Sequence, residues 1–131
     1  MNKPELLIPA GNMEKLKTAI LYGADAVYTG VSGLSLRAGS AEMSLVELAE
    51  GIRIAHAHNV KVYGALNTFA RNSDLQKVKE IIPELAAANI DALIVSDPGI
   101  IRLIRSIAPR IQIHLSTQAN TTNIEAVRFW R

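Results

Sequence analysis

The residues best suited to chemistry gather near the end of the chain. From Ile111 to Ser116 apolar and polar residues alternate, so Ile111, Ile113 and Leu115 share one face of an extended strand and Gln112, His114 and Ser116 share the other. With the apolar set turned towards helices, His114 and Ser116 point inward, and Thr117, Gln118 and Asn120 follow in the next loop. So many hydrogen-bonding groups around one imidazole suit a polar ligand. A satisfied buried histidine followed by ordinary turn residues accounts for the same pattern equally well.

Other candidates come from the ends of other strands, because parallel α/β folds bind ligands at the C-terminal ends of their strands. Tyr28 and Thr29 close the second strand, and the stretch from Gly30 to Met43 after it exceeds the roughly two to six residues usual for such a connection. Within it, Arg37 carries a planar five-donor fork suited to a phosphate or carboxylate, or is a plain surface arginine. Asn67 and Thr68 end the third strand, where ligand contact and turn formation call for the same residue types. Asp97, directly before Pro98, is explained fully by helix capping, with a catalytic carboxylate as the lesser alternative.

Several chemistries are excluded. The 131 residues include no cysteine, so the chain holds no disulfide, no thiolate-ligated metal or iron–sulfur cluster, and no cysteine nucleophile. There is no GxGxxG or phosphate-binding P-loop. No lysine stands at the C-terminal end of a strand to form a Schiff base. His56 and His58, two apart on a helix, point away from one another; they are expected at the surface near the helix end, and no metal site is expected.

The elements that position these groups are legible as short apolar runs alternating with longer amphipathic ones, the pattern of βα units on a parallel sheet. Strands are expected at Glu5 to Ile8, Ala26 to Thr29, Lys61 to Leu66, Ala92 to Val95 and Ile111 to Leu115, each followed by a helix. Asn12 caps a helix from Met13 to Tyr22 that Gly23 stops. Ser44 with Glu47, Ser73 with Gln76 and Thr122 with Glu125 read as capping boxes. Gly23-Ala24-Asp25-Ala26 is echoed by Asn89-Ile90-Asp91-Ala92, each a helix end, an aspartate and a strand. This rhythm fits a barrel and a doubly wound sheet alike. The last helix reaches Arg131 without Gly, Asn or Pro to end it, so a truncated barrel domain of about five units, the N-terminal part of a longer protein, is expected. The first and last strands would then lack neighbours, and self-association through these open edges is expected.

Bulk properties fit one globular domain: 49% hydrophobic and 20% charged residues. A net charge of +2 without basic blocks leaves RNA binding open without arguing for it. No apolar run approaches the roughly 18 residues of a membrane span and no signal peptide is recognisable, so no membrane partner and a cytoplasmic location are expected.

Five segments, taken together and in order, resemble the N-terminal motifs of the peptidase U32 family, the collagenase-like proteases. They are Pro4 to Asn12, Tyr22 to Tyr28, Leu36-Arg37-Ala38-Gly39, Ala92 to Gly99 and His114 to Asn120. The resemblance implies an α/β fold, a partial (β/α) TIM-type barrel, with Tyr28, Arg37, Asn67, Ser96, Asp97, His114, Ser116, Gln118 and Asn120 as candidates for its substrate end. Relatives of this family act in hydroxylation of tRNA uridine, ribosomal RNA or ubiquinone precursors with an iron–sulfur cluster, whose cysteines lie further along than this sequence extends. The resemblance therefore leaves room for such a cluster only in the full-length parent, and no cofactor is expected in this chain. Three readings follow: a largely inactive fragment of an RNA-modifying enzyme; a fragment of a peptide-cleaving protease; or a non-catalytic binding and assembly module. The first is favoured, since His114 and Ser116 lie two apart on one strand with no aspartate placed to orient the histidine. The uncapped end at Arg131 argues against the third.

Overall fold

The computed structural model describes residues 3–35 and 42–131. Its elements run β1 (Leu7–Pro9), α1 (Met13–Leu21), β2 (Ala26–Val31), β3 (Glu42–Met43), α2 (Leu45–Ala57), β4 (Lys61–Leu66), α3 (Asn72–Ala87), β5 (Ala92–Val95), α4 (Pro98–Ile107), β6 (Gln112–Leu115), a 3₁₀ turn (Thr117–Ala119) and α5 (Ile124–Trp130). All pairings are parallel, in the order β1-β2-β4-β5-β6, with β3 joined to β2. The main strands follow one another in chain order without reversal, the progression of a barrel wall. A doubly wound sheet would reverse at a switch point. The observed order is that of a partial (β/α) barrel.

The two faces of the sheet differ. On the outer face Val27, Val62, Leu66, Leu93 and Val95 pack with apolar stripes from the helices into one core. In α3 the stripe is Val78, Ile81, Ile82 and Leu85; in α4 it is Ile100, Ile101 and Ile104, the i, i+3, i+4 spacing of a helix buried on one side. The inner face carries a separate small cluster, Ala26, Tyr63 and Ala92 with Tyr28 and Ile94. Small residues at Ala26, Ala65 and Ala92 leave room there for two tyrosines and a histidine.

Three helices end alike. Gly23, Asn59 and Asn89 take positive φ of 84, 59 and 60°, and the N–H of the next residue returns to a carbonyl five residues back: Ala24 to Ala19, Val60 to Ala55 and Ile90 to Leu85. These are Schellman caps, each followed by a buried apolar residue. The echo around Asp25 and Asp91 also has a physical basis. The Asp25 carboxylate accepts the Leu6 N–H at 2.8 Å while its own N–H donates to the Leu6 carbonyl; Asp91 does the same to Val62, at 2.7 Å through the carboxylate. Each aspartate thus pins the start of the neighbouring strand.

Boundaries depart from expectation in several places; β1 runs on to Pro9, β2 to Val31, and β6 starts at Gln112. β1 starts at Leu7 rather than Glu5, because Glu5 turns its carboxylate to Tyr63 and Lys61. The short strand β3 lies in the long connection after β2. Helix α3 starts at Asn72, not after Ser73: the Asp74 carboxylate accepts the Arg71 N–H at 2.8 Å and moves the start forward. In α5 the cap is Asn123, whose side chain accepts from Ala126, rather than Thr122, and Glu125 pairs with Arg128 instead of reaching back. The caps at Asn12, at Ser44 with Glu47 and at Asp97 with Pro98 stand as expected.

Candidate functional site

At the C-terminal ends of the strands lies a cavity of about 380 Å³. The loop after β1 contributes Ala10 and Gly11, β2 contributes Tyr28, Thr29 and Gly30, β4 and its loop Ala65 and Asn67, β5 Ile94, and β6 with the turn after it His114, Ser116, Thr117 and Gln118. Sheet register explains the grouping, since Gly30, Ala65, Ile94 and His114 stand side by side across four strands. The alternation along β6 holds: His114 and Ser116 line the cavity, while Ile113 packs against the helix-side core.

Five sequence-predicted residues therefore meet here: Tyr28, Asn67, His114, Ser116 and Gln118. Three are wired together. Asn67 donates to the Gln118 side-chain oxygen at 3.2 Å, and the Ser116 hydroxyl donates to the same oxygen. Ser116 also caps the 3₁₀ turn by accepting from the Gln118 N–H. With its carbonyl oxygen committed twice, Gln118 offers its NH₂ as a donor. The His114 ring stands edge-to-face with Tyr63, centroids 4.7 Å apart and planes at 76°.

The other candidates lie elsewhere. Ser96 is buried at the end of β5 and Asp97 accepts the Ile100 N–H at 2.9 Å as the cap of α4; neither lines the cavity. Asn120 takes the left-handed conformation that closes the 3₁₀ turn and is exposed. Arg37 lies outside the described residues. Among the described residues no Asp, Glu, Lys or Arg lines the cavity, and the polar groups they present are amides, hydroxyls and one imidazole.

Three groups went unnoticed in the sequence. The Tyr63 hydroxyl donates to Glu5 at 2.8 and 3.0 Å, and Lys61 approaches Glu5 at 3.2 Å. The Tyr63 hydrogen bond holds the Glu5 carboxyl below its ordinary value, overcoming burial, with Lys61 assisting. Burial first, then the Glu5 carboxylate, push the Tyr63 phenol up to about 12. Glu42 accepts from the Gly33 N–H at 3.0 Å and the Ser35 hydroxyl at 2.8 Å, joining the described residues on either side of segment 36–41. Burial works to raise that carboxyl, but these hydrogen bonds outweigh it and keep it lowered. His56, exposed near the end of α2 as expected, lies with Nε2 2.8 Å from Asp91 Oδ2. In none of these cases does spacing along the chain announce the partner, which comes from 7 to 58 residues away.

A family model described as Peptidase family U32 matches residues 11–131. The chain is 43% identical over 129 residues to tRNA hydroxylation protein P1 of Bacillus subtilis, covering 98% of this chain and 31% of that protein. It is 53% identical over 126 residues to tRNA hydroxylation protein P of Helicobacter pylori, covering 95% and 30%. The chain thus spans about 30% of the length of these curated relatives. Among solved structures, the U32 peptidase Mk0906 superposes with a TM-score of 0.72 at 12% identity, over 96% of this chain and 55% of that one, a likeness of fold.

Proposed function

The chain belongs to peptidase family U32, and from that membership we propose that it forms the first units of the barrel of an RNA-hydroxylating protein, of the type acting on tRNA uridine. In this reading it is the N-terminal part of one barrel domain, is not catalytic alone, and works in the cytoplasm where its RNA substrate is. The observation that carries it is the hydrogen-bonding lining of the cavity. Asn67 and Ser116 hold the Gln118 side-chain oxygen, so that Gln118 presents its NH₂ to a polar ligand edge with His114 beside it.

Peptide hydrolysis, the chemistry in the family's description, is the second reading. A serine–histidine mechanism needs a carboxylate to orient the imidazole and a nucleophile within its hydrogen-bonding reach. The ring contact that His114 makes is with Tyr63, and the Ser116 hydroxyl is engaged with Gln118.

An iron–sulfur cluster of the kind the family resemblance implies does not fit this chain, which contains no cysteine to ligate it. Any such cluster is held by residues outside these 131.

The deciding experiment assays the full-length protein, purified without oxygen, on tRNA and on gelatin side by side, with its iron content determined. Hydroxylated nucleoside supports the proposal. Gelatin cleavage that survives removal of contaminants, with tRNA unchanged, overturns it in favour of the protease.

A further inference from the structure

Beneath the cavity lies a chain of contacts that the proposed function does not use. Tyr63 is 5% exposed on the inner face of β4, one inward-facing step nearer the N-terminal end of that strand than the cavity residue Ala65. Its hydroxyl is gripped by both carboxylate oxygens of Glu5, at 2.8 and 3.0 Å, and its ring meets the His114 imidazole edge-to-face. Glu5 is itself anchored by Lys61 at 3.2 Å. A phenol needs no carboxylate to pack against alanines, and a tyrosine in a core is placed where its hydroxyl finds a partner. Here the partner fixes the ring on which the imidazole rests.

We infer that Tyr63 and Glu5 are positioning residues for His114: Glu5 clamps the phenol from the N-terminal side, and the clamped ring sets the orientation in which the imidazole meets a ligand in the cavity. The geometry itself is independent of the RNA reading, and only its consequence for turnover rests on that reading. Neither Tyr63 nor Glu5 lines the cavity, so both act through His114.

The test is NMR of the imidazole ring protons in the 131-residue chain, with His56 and His58 as internal references. In Tyr63→Phe the ring remains but the clamp is gone; in Glu5→Gln the clamp is weakened from the other side. The His114 resonances move in the same direction in both, the double variant moves them little further than Tyr63→Phe alone, and His56 and His58 stay in place. Lys61→Met, which leaves the phenol–carboxylate bond intact, moves His114 least. Unmoved His114 resonances in a folded variant overturn the inference, as does a common shift of all three histidines. If Tyr63→Phe fails to fold, Glu5→Gln decides by the same criteria.

In the full-length protein, tRNA hydroxylation by Tyr63→Phe is expected to fall on the order of tenfold with RNA affinity retained, as for a misoriented group. A wild-type protein that leaves tRNA unmodified removes the functional reading and leaves the NMR result standing. Shifted His114 resonances with undiminished hydroxylation overturn the positioning role.

Discussion

The carboxylate of Asp91, placed just before β5, accepts the backbone N–H of Val62 near the start of β4 at 2.7 Å, while Asp91 returns its own N–H to the Val62 carbonyl. The same two-way exchange joins Asp25 to Leu6 one unit earlier. A side chain thus does what a further ladder rung would do, and it fixes the register between adjacent strands at the end remote from the cavity. Removing the Asp91 carboxylate leaves the Val62 N–H without its acceptor in a partly buried site. Asp91→Ala is therefore expected to cost about 1–3 kcal/mol in urea unfolding. Asp91→Asn, which keeps an acceptor oxygen, should cost less. His56→Ala should cost less again, since the backbone bond survives it, and Asp25→Ala should have the smaller effect of the two aspartates because its carboxylate is more open to water.

The Glu5–Tyr63 pair predicts a stability window in pH. The Glu5 carboxyl is lowered in the folded chain, so its contribution is present above its unfolded value and is lost as pH falls through the lower folded one. The Tyr63 phenol is raised to about 12, so its contribution is complete below its ordinary value of 10.0 and is lost as pH rises through about 12. The stability difference between the wild type and Tyr63→Phe is expected to be on the order of 1 kcal/mol across the neutral range, discounted for the partial exposure of Glu5. It should shrink at both acid and alkaline ends. Denaturant titrations at several pH values check this, and a difference that does not vary with pH speaks against the pair.

What could be read in advance follows from how local each signal is. The cap at Asn12, the box of Ser44 with Glu47 and the Asp97-Pro98 start depend on residues at most three apart, and they hold. The alternation along β6 placed His114 and Ser116 inside the cavity for the same reason. Tyr63 escaped because a tyrosine in an apolar strand looks like core, and only the sheet brings it to Glu5, 58 residues away. Asp25 and Asp91 were seen as a repeat, but their task needs the neighbouring strand. Strand order, which separates barrel from doubly wound sheet, has no local signature at all.

Gly64 predicts an overpacking cost. It lies on the helix-facing side of β4, and a Cβ there would stand 2.9 Å from Ile90 Cδ1, 3.1 Å from Leu93 Cδ2 and 3.2 Å from Val31 Cγ2. Three side chains, from β2, β5 and the connection before β5, cannot all retreat without opening space elsewhere. Gly64→Ala is expected to destabilise by about 1–3 kcal/mol. At Gly51 the tight neighbour is one leucine methyl, Leu16 Cδ1 at 3.0 Å, and the helix gains from alanine. Gly51→Ala should come out milder in the same denaturant series.

Thr121 predicts a gain. Its hydroxyl oxygen is buried with no hydrogen-bond partner among the described residues, so the folded chain bears the cost of taking that oxygen out of water without return. Valine has the same shape without the hydroxyl. Thr121→Val is expected to stabilise the chain by about 1 kcal/mol. Thr121→Ser, which keeps the oxygen and loses the methyl group, should bring no gain. Urea midpoints for the two variants check the pair: destabilisation by Thr121→Val would mean that the hydroxyl is satisfied in solution, and equal effects would mean that the methyl group, not the oxygen, governs the position.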